Sequence, residues 1–126
     1  VSVKQIQKGR FMVQADVEKI KQVLINLIVN AIKYGGQNGD VLVRTYDMDK
    51  NVLIEVADNG AGIHQSHLNK IFDRFYRVDN SRDRDSGGSG LGLSIVKHIV
   101  EAHNQVVNVR STQGTGSTFS FTLQKA

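Results

Sequence analysis

The sequence predicts a two-layer α/β sandwich, a mixed β-sheet with helices on one face. Three observations predict it: two stretches with apolar residues at three- and four-residue spacing, about six strand-like runs mostly paired as hairpins, and a 126-residue length that fits one domain. The other face of the sheet needs no second layer.

Val1–Ile6 and Phe11–Ala15 read as short extended segments around a Lys8-Gly9-Arg10 turn. Asp16 is the expected N-cap of a helix whose apolar stripe is Val17, Ile20, Val23, Leu24, Leu27, Ile28 and Ala31. Gly35-Gly36 should stop that helix through a left-handed cap. Val41–Tyr46 and Val52–Ala57, rich in β-branched residues around the polar stretch Asp47–Asn51, predict a hairpin. Asp58–Gly62 then makes a turn, Leu68–Phe75 a short helical patch, and Asp79–Gly90 a charged, glycine-rich loop expected to be mobile. From Leu91 a second helix carries Ile95, Val96, Ile99, Val100 and Ala102, ending near His103-Asn104, with Asn104 suited to the left-handed position. A last hairpin pairs Val106–Arg110 with Ser117–Leu123 around Gln113–Gly116. No repeat or linker divides residues 1–126, which read as a single domain.

Composition excludes several kinds of chemistry. Without cysteine there is no disulfide, thiolate metal site or thiol catalysis. The net charge of +4, from 16 basic and 12 acidic residues, favours anionic partners in general but is too interleaved to single out nucleic acid. No apolar run approaches the ~18 residues of a membrane span, and the first residues lack a signal-peptide core. The four histidines form neither an HExxH motif nor a Ser-His-acid set.

Three segments carry chemistry. Gln22, Asn26, Asn30 and Lys33 fall within roughly 80° on the first helix, beside apolar Ile25 and Val29, so a buried polar stripe with amide oxygens for a hard cation such as Mg²⁺ competes evenly with a solvated face. Asp58-Asn59-Gly60-Ala61-Gly62 delivers a carboxylate to a strand end beside two glycines; taken alone it is an Asx turn, but such a carboxylate can also accept an exocyclic amine and so choose adenine over guanine. Gly87–Ser94 leads straight into an apolar helix, as a phosphate cradle does. It is not a P-loop, since Leu93 stands where the lysine belongs, and not a dinucleotide fingerprint, which needs glycine at 93. Asp47–Asn51 imitates the start of a calcium loop but has Val52 where glycine is required. Charges alternate from Lys70 to Asp85 around Phe72, Phe75 and Tyr76, usually the mark of a solvated face, although an arginine there could reach a terminal phosphate.

In this order the segments resemble the catalytic, ATP-binding domain of bacterial sensor histidine kinases. Asn26–Tyr34 resembles the N box, Asp58–Ile63 the first glycine box, Phe72–Arg77 the F box and Gly88–Val96 the second glycine box; Gly114–Phe119 is also similar to the family's ending. The resemblance implies the Bergerat-type (GHKL) sandwich shared with gyrase, mismatch-repair and heat-shock chaperone ATPases. It implies Asn30 as the Mg²⁺ ligand with Asn26 close by, Lys33 on phosphate, Tyr34 near adenine or ribose, and Asp58 on the adenine amine. Gly60 and Gly62 would allow close approach, with Ile63 and Tyr76 beside the nucleotide; Arg77, like Lys33, is a candidate for the γ-phosphate. Gly88, Gly90, Leu91, Gly92 and Leu93 would cradle the phosphates, and residues from about 73 to 89 would form an ATP lid.

Hydrolysing relatives resemble one another in a glutamate four residues before the Mg²⁺ asparagine, where this chain has Asn26. Asparagine is no general base, so the γ-phosphate should await an external acceptor. By resemblance that acceptor is a histidine on a separate dimerisation hairpin, absent here, which makes the chain a monomeric fragment of a homodimeric kinase. The implied partners are that hairpin domain and a response-regulator receiver domain, and the implied setting is the cytoplasmic side of a parent anchored in the bacterial inner membrane. An ATPase or a pure docking module of the same fold is the alternative. A nucleic-acid binder lacks a basic stripe with interleaved aromatics outside the lid.

Overall fold

The computed structural model describes residues 2–6, 12–35, 39–76 and 92–126. In chain order they form β1 (Ser2–Ile6), α1 (Val17–Tyr34), β2 (Asp40–Met48), β3 (Asn51–Asp58), α2 (Gln65–Leu68), α3 (Gly92–Ala102), β4 (Val107–Thr112) and β5 (Gly116–Gln124). The strands make one sheet in the order β1-β2-β3-β5-β4, with β1 parallel to β2 and every other pair antiparallel. α1 and α3 pack side by side, α1 over β2 and β3 and α3 over β4. This is the mixed sheet with helices that the patterning predicts.

Strand alternation builds the core. Val43, Val56, Phe119 and Val109 stand in register across four strands, and Ile54, Phe121 and Val107 form the adjacent row. Side chains two apart share a face, so these rows meet Val23, Leu27 and Ala31 of α1 and Val96, Ile99 and Val100 of α3 in one buried cluster. On the opposite face Glu55 is only 6% exposed. Its carboxylate accepts from Arg110 at 2.8 Å and lies 3.4 Å from Arg44 Nε, so burial and ion pairing occur together.

Helix termini follow the expected chemistry with one exception. Asp16 is extended and accepts the Lys19 N–H at 3.2 Å, the N-cap that the sequence predicts. Asn104 takes the left-handed conformation, φ 58°, just beyond α3. Gly35, however, is right-handed, φ −78°, and its N–H still bonds to the Ala31 carbonyl, so no left-handed cap forms there; Gly36 lies outside the described residues.

Other expectations shift at their edges. Phe11 lies outside the described residues, and of residues 12–15 only Val13 pairs, in an isolated bridge to Lys125, so among the described residues the sheet has five strands rather than six. The hairpin strands extend to Met48 and Asn51, leaving Asp49-Lys50 as the turn with Asp49 left-handed, φ 68°. Asp47 is held by Lys125 and by the Asp49 N–H, and these bonds keep its carboxyl below the ordinary value. Helix occupies Gln65–Leu68 instead of Leu68–Phe75; beyond it Lys70, Asp73 and Tyr76 each bond back three residues in successive turns. Asp79–Gly90 lies outside the described residues.

Phe119 is 1% exposed at the centre of the core, and Phe72 meets it edge-on at 6.0 Å between ring centroids. Phe119→Ala is expected to cost about 3–5 kcal/mol in urea unfolding.

Candidate functional site

The site begins at the flank of α1, between its buried face and its exposed one. Asn26 is half-buried, and its Nδ2 donates to the Gly92 carbonyl at 3.3 Å, tying the middle of α1 to the first residue of α3. Asn30 stands one turn further on the same face, also half-buried. Lys33 follows, its ammonium 5.4 Å from the Tyr34 ring centroid. Ile25 and Val29, expected beside a buried stripe, are 59% and 57% exposed. The asparagines therefore occupy the boundary between core and solvent. Gln22 lines a separate groove between α1 and α3, with Lys19, Arg74, Ile95 and His98, which neither Asn30 nor Asp58 borders.

Asp58, the last residue of β3, forms the second wall. Its carboxylate accepts the backbone N–H of Gly60 at 3.0 Å and a backbone bond from Ser117. Half-burial pushes its carboxyl up, and the two N–H bonds oppose that shift. It abuts the end of α1, because a Cβ on Gly35 would lie 3.9 Å from Asp58 Cβ. A Cβ on Gly60 would stand 2.1 Å from the Tyr34 carbonyl oxygen, and one on Gly62, at φ 74°, 2.3 Å from that of Thr112. Both glycines are demanded by protein backbone packed against them.

A hydroxyl network fixes this loop. Ser111 Oγ accepts the Ile63 N–H at 2.7 Å and lies 3.1 Å from the Gly116 carbonyl and 2.8 Å from Ser117 Oγ. Its one proton goes to the carbonyl, which can only accept, so Ser117 donates to it and every valence is used. The loop after Asp58 and the strand that holds Asp58 are thereby one unit.

Residues 15–126 match the family described as histidine kinase-, DNA gyrase B- and HSP90-like ATPase. The chain belongs to that family. It is 46% identical over 116 residues to the sensor histidine kinase WalK of Bacillus subtilis (strain 168), a match that covers 88% of this chain and 18% of that relative. The catalytic domain of histidine kinase ThkA, solved nucleotide-free, superimposes with a TM-score of 0.85 at 32% identity, covering 98% of this chain and 78% of that one; ThkA is also solved in complex with the response regulator protein TrrA. Full-length ShkA in complex with AMPPNP gives a TM-score of 0.84 at 28% identity, covering 99% of this chain and 26% of that one. The chain thus spans less than a fifth of the length of the Bacillus relative.

Within this ATPase-family domain the residues singled out from sequence divide into groups. Asn26 and Gly92 meet directly, and the end of α1 at Tyr34 meets Asp58 and Gly60. Leu93 packs on the core cluster, and Ile63 is buried in it. Tyr76 is bonded through its hydroxyl to His67 Nδ1. Arg77, Gly88, Gly90 and Leu91 lie outside the described residues, as does most of the predicted lid. Ser111 and Ser117, which sequence reasoning passed over, are the added positioning residues; their signal was two inward-facing serines at paired positions of one hairpin.

Two consequences are measurable. Gly60→Ala should destabilise the fold by about 1–3 kcal/mol in denaturant unfolding, since the opposing carbonyl belongs to the backbone. Because the folded Asp58 carboxyl is raised above its unfolded value, the folded state holds that proton more tightly; the associated stability is present at low pH and lost as pH rises through the interval between the two values. The stability of the wild-type chain minus that of Asp58→Asn should therefore fall with rising pH across the carboxylate range. A rise would mean that the N–H bonds outweigh burial.

Proposed function

We propose that this domain binds Mg-ATP and passes the γ-phosphate to a histidine on a separate dimerisation domain, as the catalytic part of a two-component sensor kinase. The Asn26 bond to Gly92 carries the proposal. It sets the asparagine face of α1 beside the first turn of α3, where the positive end of the helix dipole attracts anions. Lys33 adds positive charge further along the same face of α1. Asp58, oriented by its two backbone N–H bonds, retains acceptor capacity for the exocyclic amine of adenine; guanine presents a carbonyl at the corresponding position and would be repelled. The amide oxygen of Asn30 is a hard donor of the kind Mg²⁺ takes, and the ion when bound offsets phosphate charge.

Asn26 cannot remove a proton from water, and its amide N–H is engaged by Gly92. The bound nucleotide is therefore kept for an acceptor brought from outside. A receiver domain is the proposed downstream partner, supported by the ThkA complex with TrrA. Among the described residues no helix is long and apolar enough to cross a membrane; we assign any anchor to other parts of a homodimeric parent, with this domain monomeric and facing the cytoplasm.

Calorimetric titration with a non-hydrolysable ATP analogue tests the site. Asn30→Ala is expected to abolish the Mg²⁺-dependent part of affinity, and Asp58→Asn to cost about 1–3 kcal/mol and erase preference over a GTP analogue. Unchanged affinity in both variants would remove the assignment. Transfer of labelled phosphate to an added histidine-bearing dimerisation domain separates a kinase from a docking module, which binds nucleotide but transfers nothing.

A further inference from the structure

We infer that His103 is a positioning residue for nucleotide binding: its neutral imidazole bridges the C-terminal end of α3 to the N-cap of α1 and holds the two helices that flank the phosphate end of the site in fixed register. The inference rests on the nucleotide-binding proposal above.

His103 Nε2 lies 3.1 Å from the backbone nitrogen of Asp16, and its Nδ1 lies 2.8 Å from the carbonyl oxygen of Ile99. A backbone N–H can only donate and a carbonyl can only accept. Nδ1 therefore carries the proton and Nε2 is bare, which admits a single tautomer and only the neutral ring. This is the less common tautomer of a free imidazole, so its presence is diagnostic.

The bridge has a counterpart. α1 and α3 are antiparallel neighbours, tied at one place by Asn26 to Gly92 and at the other by His103 to Asp16. The ties are about 15 Å apart, roughly three turns on each helix. One holds the asparagine face against the start of α3; the other stops the two helices from sliding or splaying about that point. Protonating Nε2 would set two donors against each other at Asp16, and the second tie would open.

The test has two arms on the 126-residue chain. Long-range proton–nitrogen correlation spectra report which ring nitrogen of His103 carries hydrogen; Nδ1–H is expected, and Nε2–H overturns the bridge. Calorimetry with a non-hydrolysable ATP analogue and Mg²⁺ is then run at one fixed pH on wild type, His103→Gln and His103→Leu. Glutamine can accept from the Asp16 N–H, whereas leucine cannot. His103→Leu is expected to bind about 3- to 10-fold more weakly, the worth of one hydrogen bond, and His103→Gln to match wild type. Leucine binding as tightly as wild type, or glutamine as weakly as leucine, overturns the inference; should His103→Leu fail to fold, His103→Ala is read in its place. No binding by folded wild type overturns the nucleotide proposal and the positioning role with it, while the ring-nitrogen spectrum still judges the bridge.

Discussion

Val23, Leu27 and Ala31 sit one above another on α1 and are essentially without exposure. An α-helix turns about 100° per residue, so seating those three on the sheet fixes what every other residue of the helix presents. Asn26 and Asn30 lie one residue to the side, at the edge of the core. Ile25, Val29 and Ile32 lie another 100° round and are exposed. An asparagine at such an edge keeps part of its hydration, whereas full burial without partners would cost several kcal/mol. The polar face of the site thus depends on the apolar face beneath it, and a substitution that rolled α1 by one residue would take Asn26 away from Gly92.

The far wall depends on contact between backbones. Gly60 against Tyr34 and Gly116 against Asp58 leave no room for a Cβ, which would stand 2.1 Å from a carbonyl oxygen in each case. Those approaches bring the end of α1, the end of β3 and the start of β5 together, with the Ser111 hydroxyl closing the loop between them. Asp58 is held in that junction at some cost to the fold, because burial disfavours its charged form. A carboxylate kept half out of water is also a better acceptor for a specific donor than one in bulk solvent.

Periodicity made the two helices and the two hairpins legible, since each depends on residues near one another in sequence; the pairings that join them into one sheet, β1 with β2 and β3 with β5, bring together residues far apart in the chain. Capping was legible at Asp16 and Asn104 for the same reason. What escaped depends on pairs that only the fold creates: Glu55 with Arg110, Ile63 with Ser111, His67 with Tyr76 and Asp16 with His103. Val17 keeps helical spacing but begins α1 and is 65% exposed. The glycines at 60 and 62 were marked as sites of close approach, and the approach exists, but the partner in this structure is protein backbone. For the candidate site, residue types and order were readable, whereas the hydroxyls that brace it were not.

Position 26 joins these strands of reasoning. A glutamate there would present two acceptors and no donor to the Gly92 carbonyl, an acceptor itself, so the tie between α1 and α3 would be lost or would require a protonated acid. An asparagine supplies the missing donor and gives up the ability to act as a base. The same atom substitution ties α1 to α3 and, under the proposed function, withholds hydrolysis. On that proposal the domain would hold its nucleotide intact until the group that accepts the phosphate is brought to it.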